Sequence, residues 1–578
     1  MFYRFVSAWR LLACLVFCAA APLARPTADD SLNVILIFVD DLGYDDLGSY
    51  GSTDALTPHL DSLAAQGLRF TDFYAGSPVC TPSRYALLTG RYPFRADNPA
   101  LLNHLVWHDT ENGIDDRDST LAEAFQANGY QTALIGKWHL GHGSVLVSDT
   151  TDSQFHPLHH GFDSFYGSFM GIDYNTHWHG DEYLDWWENR RPAPEDSLGY
   201  ATQLFGDRAV AYIDERPEAG AASPPFFLYL PFTAPHFGRP PVMTRTGVLQ
   251  LPIGQEEEYL SRFDGVEISG SRMRTILRKR YLAMVAVLDD EVGRIMDALD
   301  RNGLADRTVI WFISDNGGFV ELGASNAPLR GGKKEPYEGG IRVPSFVSWP
   351  GHIAPGVSAQ LAGNIDVAPT LLSLAGIPFD HPVDGIDLGD HLAGGPVFSR
   401  GGIATVNAVH GDAYRLRQWK LVRPYDAAGA PLPPELYDLS TDANEVTDLA
   451  SVYPDTLAML VDLLPYGKSV GARPTAMDSP AKTAVQRAVR APETELRVAP
   501  NPSRPGAGDA FVELTLGMEE RVRLEVFDLL GRRIALLWEG PLEASTYRFA
   551  LPATASGTFV VRAASPSGTH TVKATRAR

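Results

Sequence analysis

Residues 77–91, SPVCTPSRYALLTGR, hold the one cysteine that remains when the first two dozen residues are set aside. Thr81 offers a helix N-cap, Pro82 suits a first helical turn and YALLTG continues it. Cys80 is thereby placed at the positive end of a helix, where unpaired backbone N–H groups favour an anion. Arg84, one turn further on, can fold back on a nucleophile at position 80 or on the anion itself. The arrangement suits attack on a phosphate or sulfate ester. A lone thiol read without context is a small buried hydrophobe, so the rest of the chain must decide.

Other chemistry-bearing residues stand at the ends of four short apolar runs. NVILIFV (33–39) leads into Asp40 and Asp41; TALIG (132–136) leads into Lys137, Trp138 and His139; FFLYLPFTAP (226–235) leads into His236; and TVIWFIS (308–314) leads into Asp315 and Asn316. Such β-rich runs read as strands buried on both faces. Between them, TPHLDSLAAQGLRF (57–70), STLAEAFQANGY (119–130) and RKRYLAMVAVLDDEVGRIMDALDRNG (278–303) are helix-like. The alternation predicts an α/β domain. Open sheets of that class bind ligands beyond the carboxyl ends of their strands, so the four runs converge on one edge. Each acid alone reads as a helix cap or a solvated loop residue. Together, Asp40, Asp41 and Asp315 would repel one another unless a cation bound them, and with the Asn316 carbonyl they form an all-oxygen set suited to a hard ion. Calcium tolerates such irregular coordination better than magnesium.

The 578 residues, 44% hydrophobic and 21% charged, can bury a large core and call for more than one domain. The net charge of -21 argues against nucleic acid or an anionic membrane surface as partner, and requires any anion site to be locally basic. Residues 1–24 read as a signal peptide: Arg4 and Arg10 precede the run LLACLVFCAAA, and Ala21 to Ala24 offer small residues for cleavage. That run is too short for a comfortable membrane span, and no other stretch looks transmembrane. Cys14 and Cys18 leave with the signal, so Cys80 has no disulfide partner although the destination would permit one.

CTPSR followed by ALLTGR resembles the signature of the sulfatases. DDLGYDDLGSYG (40–51), GKWHLG (136–141), TAPH (233–236), SDNGG (314–318), LRGGKKEPYEGGIRVP (329–344), WKLV and ELYDLSTDANEVTDLA follow in the order of that family. The resemblance implies an alkaline phosphatase-like catalytic domain over 31–400, a large mixed sheet sandwiched by helices, and a smaller α+β subdomain with an antiparallel sheet over 401–465. It implies that a formylglycine-generating maturation enzyme oxidises Cys80 to formylglycine. A calcium ion would be held by Asp40, Asp41, Asp315, Asn316 and the converted Cys80. Arg84 and Lys137 would hold the aldehyde hydrate and the sulfate, and Lys333, four residues before Tyr337, would be the catalytic lysine, with Lys334 its solvated neighbour. One hydroxyl of the hydrate would attack sulfur while His236 or Lys333 assists the departing alcohol; His139 would deprotonate the second, which expels sulfate. The implied substrates are sulfate esters, with sulfated polysaccharides or oligosaccharides favoured. The rivals are a phosphomonoester or phosphonate hydrolase of the same superfamily and a non-enzymatic surface glycan-binding protein.

Within GFDSFYGSFMGIDYNTHWH (161–179) extra residues blur a family position that touches sulfate, leaving Asn175 and His177 as candidates. Trp186 and Trp187 lie in an aromatic-rich stretch and either stack on sugar faces or pack into the core. His177 and His179 suggest a metal pair only superficially, since spacing supplies no third ligand. Residues 466–494 lack apolar periodicity and read as a linker; 495–578 alternate apolar and polar residues between turn signals, as a small β-sandwich does. Its PNPS entry, VFDLLGRR hairpin and SGTFVVR strand resemble the type IX secretion sorting domain. That resemblance implies the type IX machinery as partner and a secreted or cell-surface protein. The alternative is a carbohydrate-binding sandwich.

Overall fold

The computed structural model describes residues 32–464 apart from 103–111, 143–152, 180–182, 194–198, 217–223, 241–242, 380, 408 and 427–428, together with seven strands between 495 and 576. The signal peptide and linker expected at 1–24 and 466–494 lie outside the described residues. Six strands position the site: β1 (Asn33–Asp40), β2 (Gln131–Lys137), β3 (Ser164–Ser168), β4 (Phe226–Pro235), β5 (Thr308–Ser314) and β6 (Ser345–Ser348). They form the centre of a ten-stranded sheet ordered β3-β2-β4-β1-β5-β6, with Trp187–Glu188 and Arg191–Pro192 beyond β3, and Leu68–Phe70 and Gly356–Ser358 beyond β6. The strands from β3 to β5 pair in parallel, whereas β6 runs antiparallel to β5, so the sheet is mixed.

Every residue of β1 is buried, as an uninterrupted apolar run demands when layers cover both faces of a sheet. Ile35, Ile37 and Val39 enter one hydrophobic core and Val34, Leu36 and Phe38 the other. This alternation of successive side chains makes the sheet the partition between two cores. The four apolar runs read from the sequence are the adjacent strands β2, β4, β1 and β5, so their carboxyl ends do share one edge.

The helical expectations need adjusting at their ends. α1 (Pro58–Ala65) stops short of residue 70, and Leu68–Phe70 instead pairs with β6. Gly67 makes the turn: a Cβ there would lie 2.1 Å from the Val347 carbonyl oxygen. In the 119–130 stretch the helix covers Leu121–Ala127 behind a Thr120/Glu123 capping box. α2 (Cys80–Thr89) begins at the cysteine itself, with Val79 at the N-cap, so Thr81 does not cap it. α3 (Arg272–Arg301) starts earlier than its apolar periodicity suggested, where the Ser271 hydroxyl accepts from the Arg274 N–H at 3.3 Å.

Two compact units are present. The described residues from Leu32 to Pro424 together with Pro434–Leu460 form one, which includes an antiparallel sheet of Ile403–Asn407, Gly411–Leu416, Trp419–Pro424 and Glu435–Asp438. The other contains antiparallel sheets of three and four strands between Glu495 and Arg576. There, Val522, Leu524 and Val526 are buried on alternate positions of one strand, and Glu525 between the last two is buried as well. Among the described residues no helix is long and apolar enough to cross a membrane.

Candidate active site

Beyond the ends of β1 and β5 the chain turns sharply. Asp41 adopts φ 65°, a left-handed conformation that a non-glycine residue holds only when its surroundings impose it. Those surroundings are on hand: the Asp41 N–H donates to Asp315 Oδ1 at 3.1 Å, and the Tyr281 hydroxyl, from α3, donates to the Asp41 carbonyl at 3.0 Å. Asp46, in the second acid pair of DDLGYDD, is fully buried and accepts from the Gly43 and Ser325 N–H groups, which fixes the loop after Asp41. The repeated acids were visible in the sequence; that the second pair locks the first was not.

α2 brings Cys80 and Arg84 to the same edge. The Cys80 thiol lies 3.2 Å from Asp40 Oδ1 and 3.4 Å from Lys333 Nζ, and the ligand atoms of Asp40, Asp41, Cys80 and His236 all fall within 4.8 Å of one another. Burial, with Asp315 and Asp40 adding to it, pushes the thiol well above its usual range. Arg84 is wholly buried and donates to Asp40 Oδ2 at 3.0 Å and the Lys137 carbonyl at 2.7 Å; Asp315 Oδ2 is 3.5 Å away. Lys137 Nζ meets Asp40 Oδ2 at 2.7 Å, and Lys333 Nζ meets Asp41 Oδ1 at 2.6 Å.

Burial alone would raise Asp40, but Lys137, with Arg84 and Lys333, holds it well below the carboxylate range. Asp315 moves the other way: burial and the neighbouring Asp40 raise it. In formal charge, the three acids are matched one for one by Arg84, Lys137 and Lys333.

Asp315 Oδ2 and Asn316 Oδ1 are buried and accept no hydrogen bond among the described residues. Such oxygens are costly unless something electropositive meets them. With Asp40 and Asp41 beside them, the donor set is all oxygen and fits a hard divalent cation.

The two histidines reach the edge from different strands. His236 follows β4; its Nδ1 lies 2.7 Å from the Phe237 carbonyl, so that nitrogen donates and Nε2 faces Asp41 Oδ2 at 3.7 Å. Burial, and next Lys333, push the imidazole well down, favouring its neutral form. His139 follows β2, is buried, and has φ 55°, with its N–H bonded to the Phe169 carbonyl at 2.9 Å. Lys334 is exposed, as expected of a solvated neighbour.

The side chains expected to touch substrate are engaged within the protein, on a segment that borders the site through the Tyr174 hydroxyl, which donates to the His236 carbonyl at 2.8 Å. Trp186 is 1% exposed and stacks between His177, at 4.0 Å between ring centroids, and Phe205, at 5.0 Å. Trp187 is 6% exposed and donates through its indole nitrogen to Asp185 at 3.0 Å. Both tryptophans therefore pack as core, because no ring face is left for a sugar. His177 is buried too, with Nε2 at 2.9 Å from the Gly199 carbonyl and its pKa pushed down to about 4 by burial. Asn175 donates to the Leu251 carbonyl at 3.2 Å and so braces its loop. His177 and His179 belong to no metal-capable group among the described residues.

A buried cysteine opening a helix, ringed by three acids, two lysines and an arginine at one sheet edge, is set beside known proteins with this result: residues 32–377, more than half the chain, match the family described as Sulfatase. The chain belongs to the sulfatase family. The N-acetylgalactosamine-6-sulfatase of Rattus norvegicus is 35% identical over 427 residues, covering 69% of this chain and 74% of that protein. Arylsulfatase A of Bos taurus is 37% identical over 369 residues, covering 63% and 68% respectively. Among solved structures, Ps i-CgsB in complex with k-i-k-neocarrahexaose is similar at a TM-score of 0.65 and 28% identity, covering 79% of this chain and 97% of that one. This sulfatase is accordingly a sulfuric ester hydrolase with the large mixed sheet of its solved relatives.

Proposed function

We propose that this sulfatase removes sulfate from sulfated polysaccharides or their oligosaccharides, with Cys80 converted to formylglycine and a calcium ion held by Asp40, Asp41, Asp315 and Asn316. The observation that carries the reading is the position of Cys80 Sγ, between Asp40 Oδ1 and Lys333 Nζ and beside buried carboxylate and carboxamide oxygens that lack donors. Oxidised and hydrated, the side chain at 80 would supply a geminal diol, one oxygen to attack sulfur and a second hydroxyl whose deprotonation expels sulfate and restores the aldehyde. A divalent cation, where bound, would supply the two positive charges that the balanced acids and bases lack, and so favour an anionic ester in a chain whose overall field repels one.

The chain's own groups divide the remaining work. Lys137, Arg84 and Lys333 bring positive charge to the nonbridging sulfate oxygens. His236, anchored through Nδ1, turns Nε2 toward the departing alcohol and can donate from it only as imidazolium, whereas Lys333 Nζ is an ammonium donor in reach. His139 is the base for the second hydroxyl. The relatives' names, an N-acetylgalactosamine-6-sulfatase and a protein held with k-i-k-neocarrahexaose, support a carbohydrate as the alcohol. Export through a signal peptide at 1–24 and the type IX route, using 495–578 as sorting domain, completes the proposal.

The test is peptide mass spectrometry at residue 80 on active enzyme, alongside turnover of an aryl sulfate, an aryl phosphate and a panel of defined sulfated oligosaccharides. An aldehyde at 80, loss of turnover in Cys80→Ala and preference for sulfate are expected. An intact thiol in fully active enzyme, or faster turnover of the phosphate, would overturn the chemistry. Sequencing both ends of the mature secreted protein tests the export route, which an uncleaved residue 1 would refute.

A further inference from the structure

Lys333 sits on the segment Leu329–Ile341, a loop that runs into a short helix at Glu338, and both ends of that loop meet the same residue. At the near end, Arg330 Nη1 donates to the Glu445 carbonyl at 2.8 Å and to the Tyr437 hydroxyl at 3.0 Å. At the far end, the Glu338 N–H donates to Glu445 Oε2 at 2.7 Å. The other carboxylate oxygen, Glu445 Oε1, lies 2.6 Å from Lys420 Nζ, and Lys420 also reaches Glu338 Oε1 at 2.9 Å. Glu338, Lys420 and Glu445 are each 0% exposed.

Two buried glutamates on one buried lysine are a poor way to gain stability, because desolvation offsets most of the attraction. Glu338 is relieved by further donors, the Tyr74 hydroxyl at 2.8 Å and Arg342 at 3.2 Å. Glu445 has no second cation within ion-pair reach among the described residues, and it holds φ 54°, a backbone conformation unusual for its type. A strained residue under such a charge burden points to a geometric task.

The opposite side of the loop shows what that geometry serves. The Lys333 N–H donates to the Gly318 carbonyl at 3.2 Å, and the Lys334 N–H to the Pro78 carbonyl at 2.9 Å. Gly317 lies so close beneath that an added Cβ would be 1.8 Å from the Gly339 carbonyl oxygen. The loop is therefore pressed between the segments carrying Asp315 and Cys80 on one side and the Glu445 turn on the other.

We infer that Glu445 is a positioning residue for Lys333, clasping both ends of the loop so that the ammonium group is held against Asp41 and position 80. The inference rests on the reading that Lys333 acts in sulfate transfer. It gives the turn that follows the small antiparallel sheet a part in catalysis although that turn contributes no group to the reacting atoms.

A double-mutant cycle on the formylglycine-bearing enzyme tests this, with kcat and KM on an aryl sulfate and a thermal melt for each variant. Glu445→Ala is expected to lower kcat about 10- to 100-fold, the cost of an ångström-scale misplacement, with KM little changed. In a Lys333→Ala background the same change should cost kcat nothing further, while its effect on the melt persists. Glu445→Gln, which keeps an acceptor for the Glu338 N–H, should recover part of kcat. Equal fold-losses in both backgrounds, or undiminished kcat in Glu445→Ala, would overturn the inference while leaving Lys333 its role. Wild-type kcat in Lys333→Ala would overturn that role itself, and the inference with it. Should Glu445→Ala fail to fold, Glu445→Gln and Tyr437→Phe, which strips Arg330 of one acceptor, enter the same cycle.

Discussion

Lys137 Nζ lies 2.7 Å from Asp40 Oδ2 although the two residues end strands that do not touch, β4 running between β2 and β1. The long lysine side chain thus spans a neighbouring strand to reach its partner. In Lys137→Met, Asp40 would keep Arg84 as its remaining close cation. Removing one member of a buried pair costs about 3–5 kcal/mol, so urea melts in chelator should show a loss of that order. Steady-state kcat should fall at least about 100-fold, as when a positioned charge-stabilising donor is removed. Near-normal turnover would take Lys137 out of the machinery.

Metal removal should be legible without any activity measurement. Asp315 Oδ2 and Asn316 Oδ1 are buried acceptors that lack donors, so a bound cation stabilises the folded state by mass action. Thermal melts after chelation are expected to drop and to recover with added calcium, by about 2.7 kcal/mol when free ion exceeds the dissociation constant 100-fold. Magnesium should recover less, and Asp315→Ala should abolish the response. A melt indifferent to calcium in the unmutated protein would refute the ion site.

Trp186 separates a packing role from a sugar-binding one. Truncation of a buried tryptophan typically costs about 3–5 kcal/mol, and Trp186 loses two stacked partners, His177 and Phe205. Trp186→Ala should therefore lower the melting temperature strongly while leaving KM for a sulfated oligosaccharide unchanged in the folded fraction. A raised KM at unaltered stability would restore the sugar-stacking reading.

What the sequence disclosed and what it withheld divide along physical lines. The strands that end at Asp40 and Lys137, and those that lead into His236 and Asp315, were legible because fully buried parallel strands must be continuously apolar, and their polar ends stand out. Trp186 and Trp187 were ambiguous because an aromatic pair has the same composition whether its faces meet solvent or Phe205. The Thr81 cap failed since an extended Val79 can precede a helix as well as a polar cap can. Glu445 was invisible in its role because its partners Arg330 and Glu338 lie 115 and 107 residues away. No local pattern encodes such a contact.

Glu291 gives the catalytic unit a pH dependence away from the active site. It lies on α3 with 4% of its side chain exposed, and an added Cβ at Gly206 would lie 1.9 Å from its Oε2. Burial pushes its carboxyl from 4.5 up to about 7, even though Arg294 Nη1 is 2.6 Å away. Arg294 is 45% exposed, so water screens the attraction it offers while the carboxylate bears nearly all of the desolvation. With its folded pKa above the unfolded value, the folded state binds the proton more tightly. The stability this contributes is complete below about pH 4.5 and is lost as pH rises through about 7, a swing of about 3 kcal/mol. Glu291→Gln stays neutral, and its amide oxygen can still accept from Arg294. Its urea midpoint relative to the parent protein should therefore rise progressively from pH 5 to pH 8, against the habit of surface acids, whose loss hurts most when they are ionised. A difference constant across that range would mean that the carboxylate is solvated and that α3 packs less tightly on Gly206 than the structure places it.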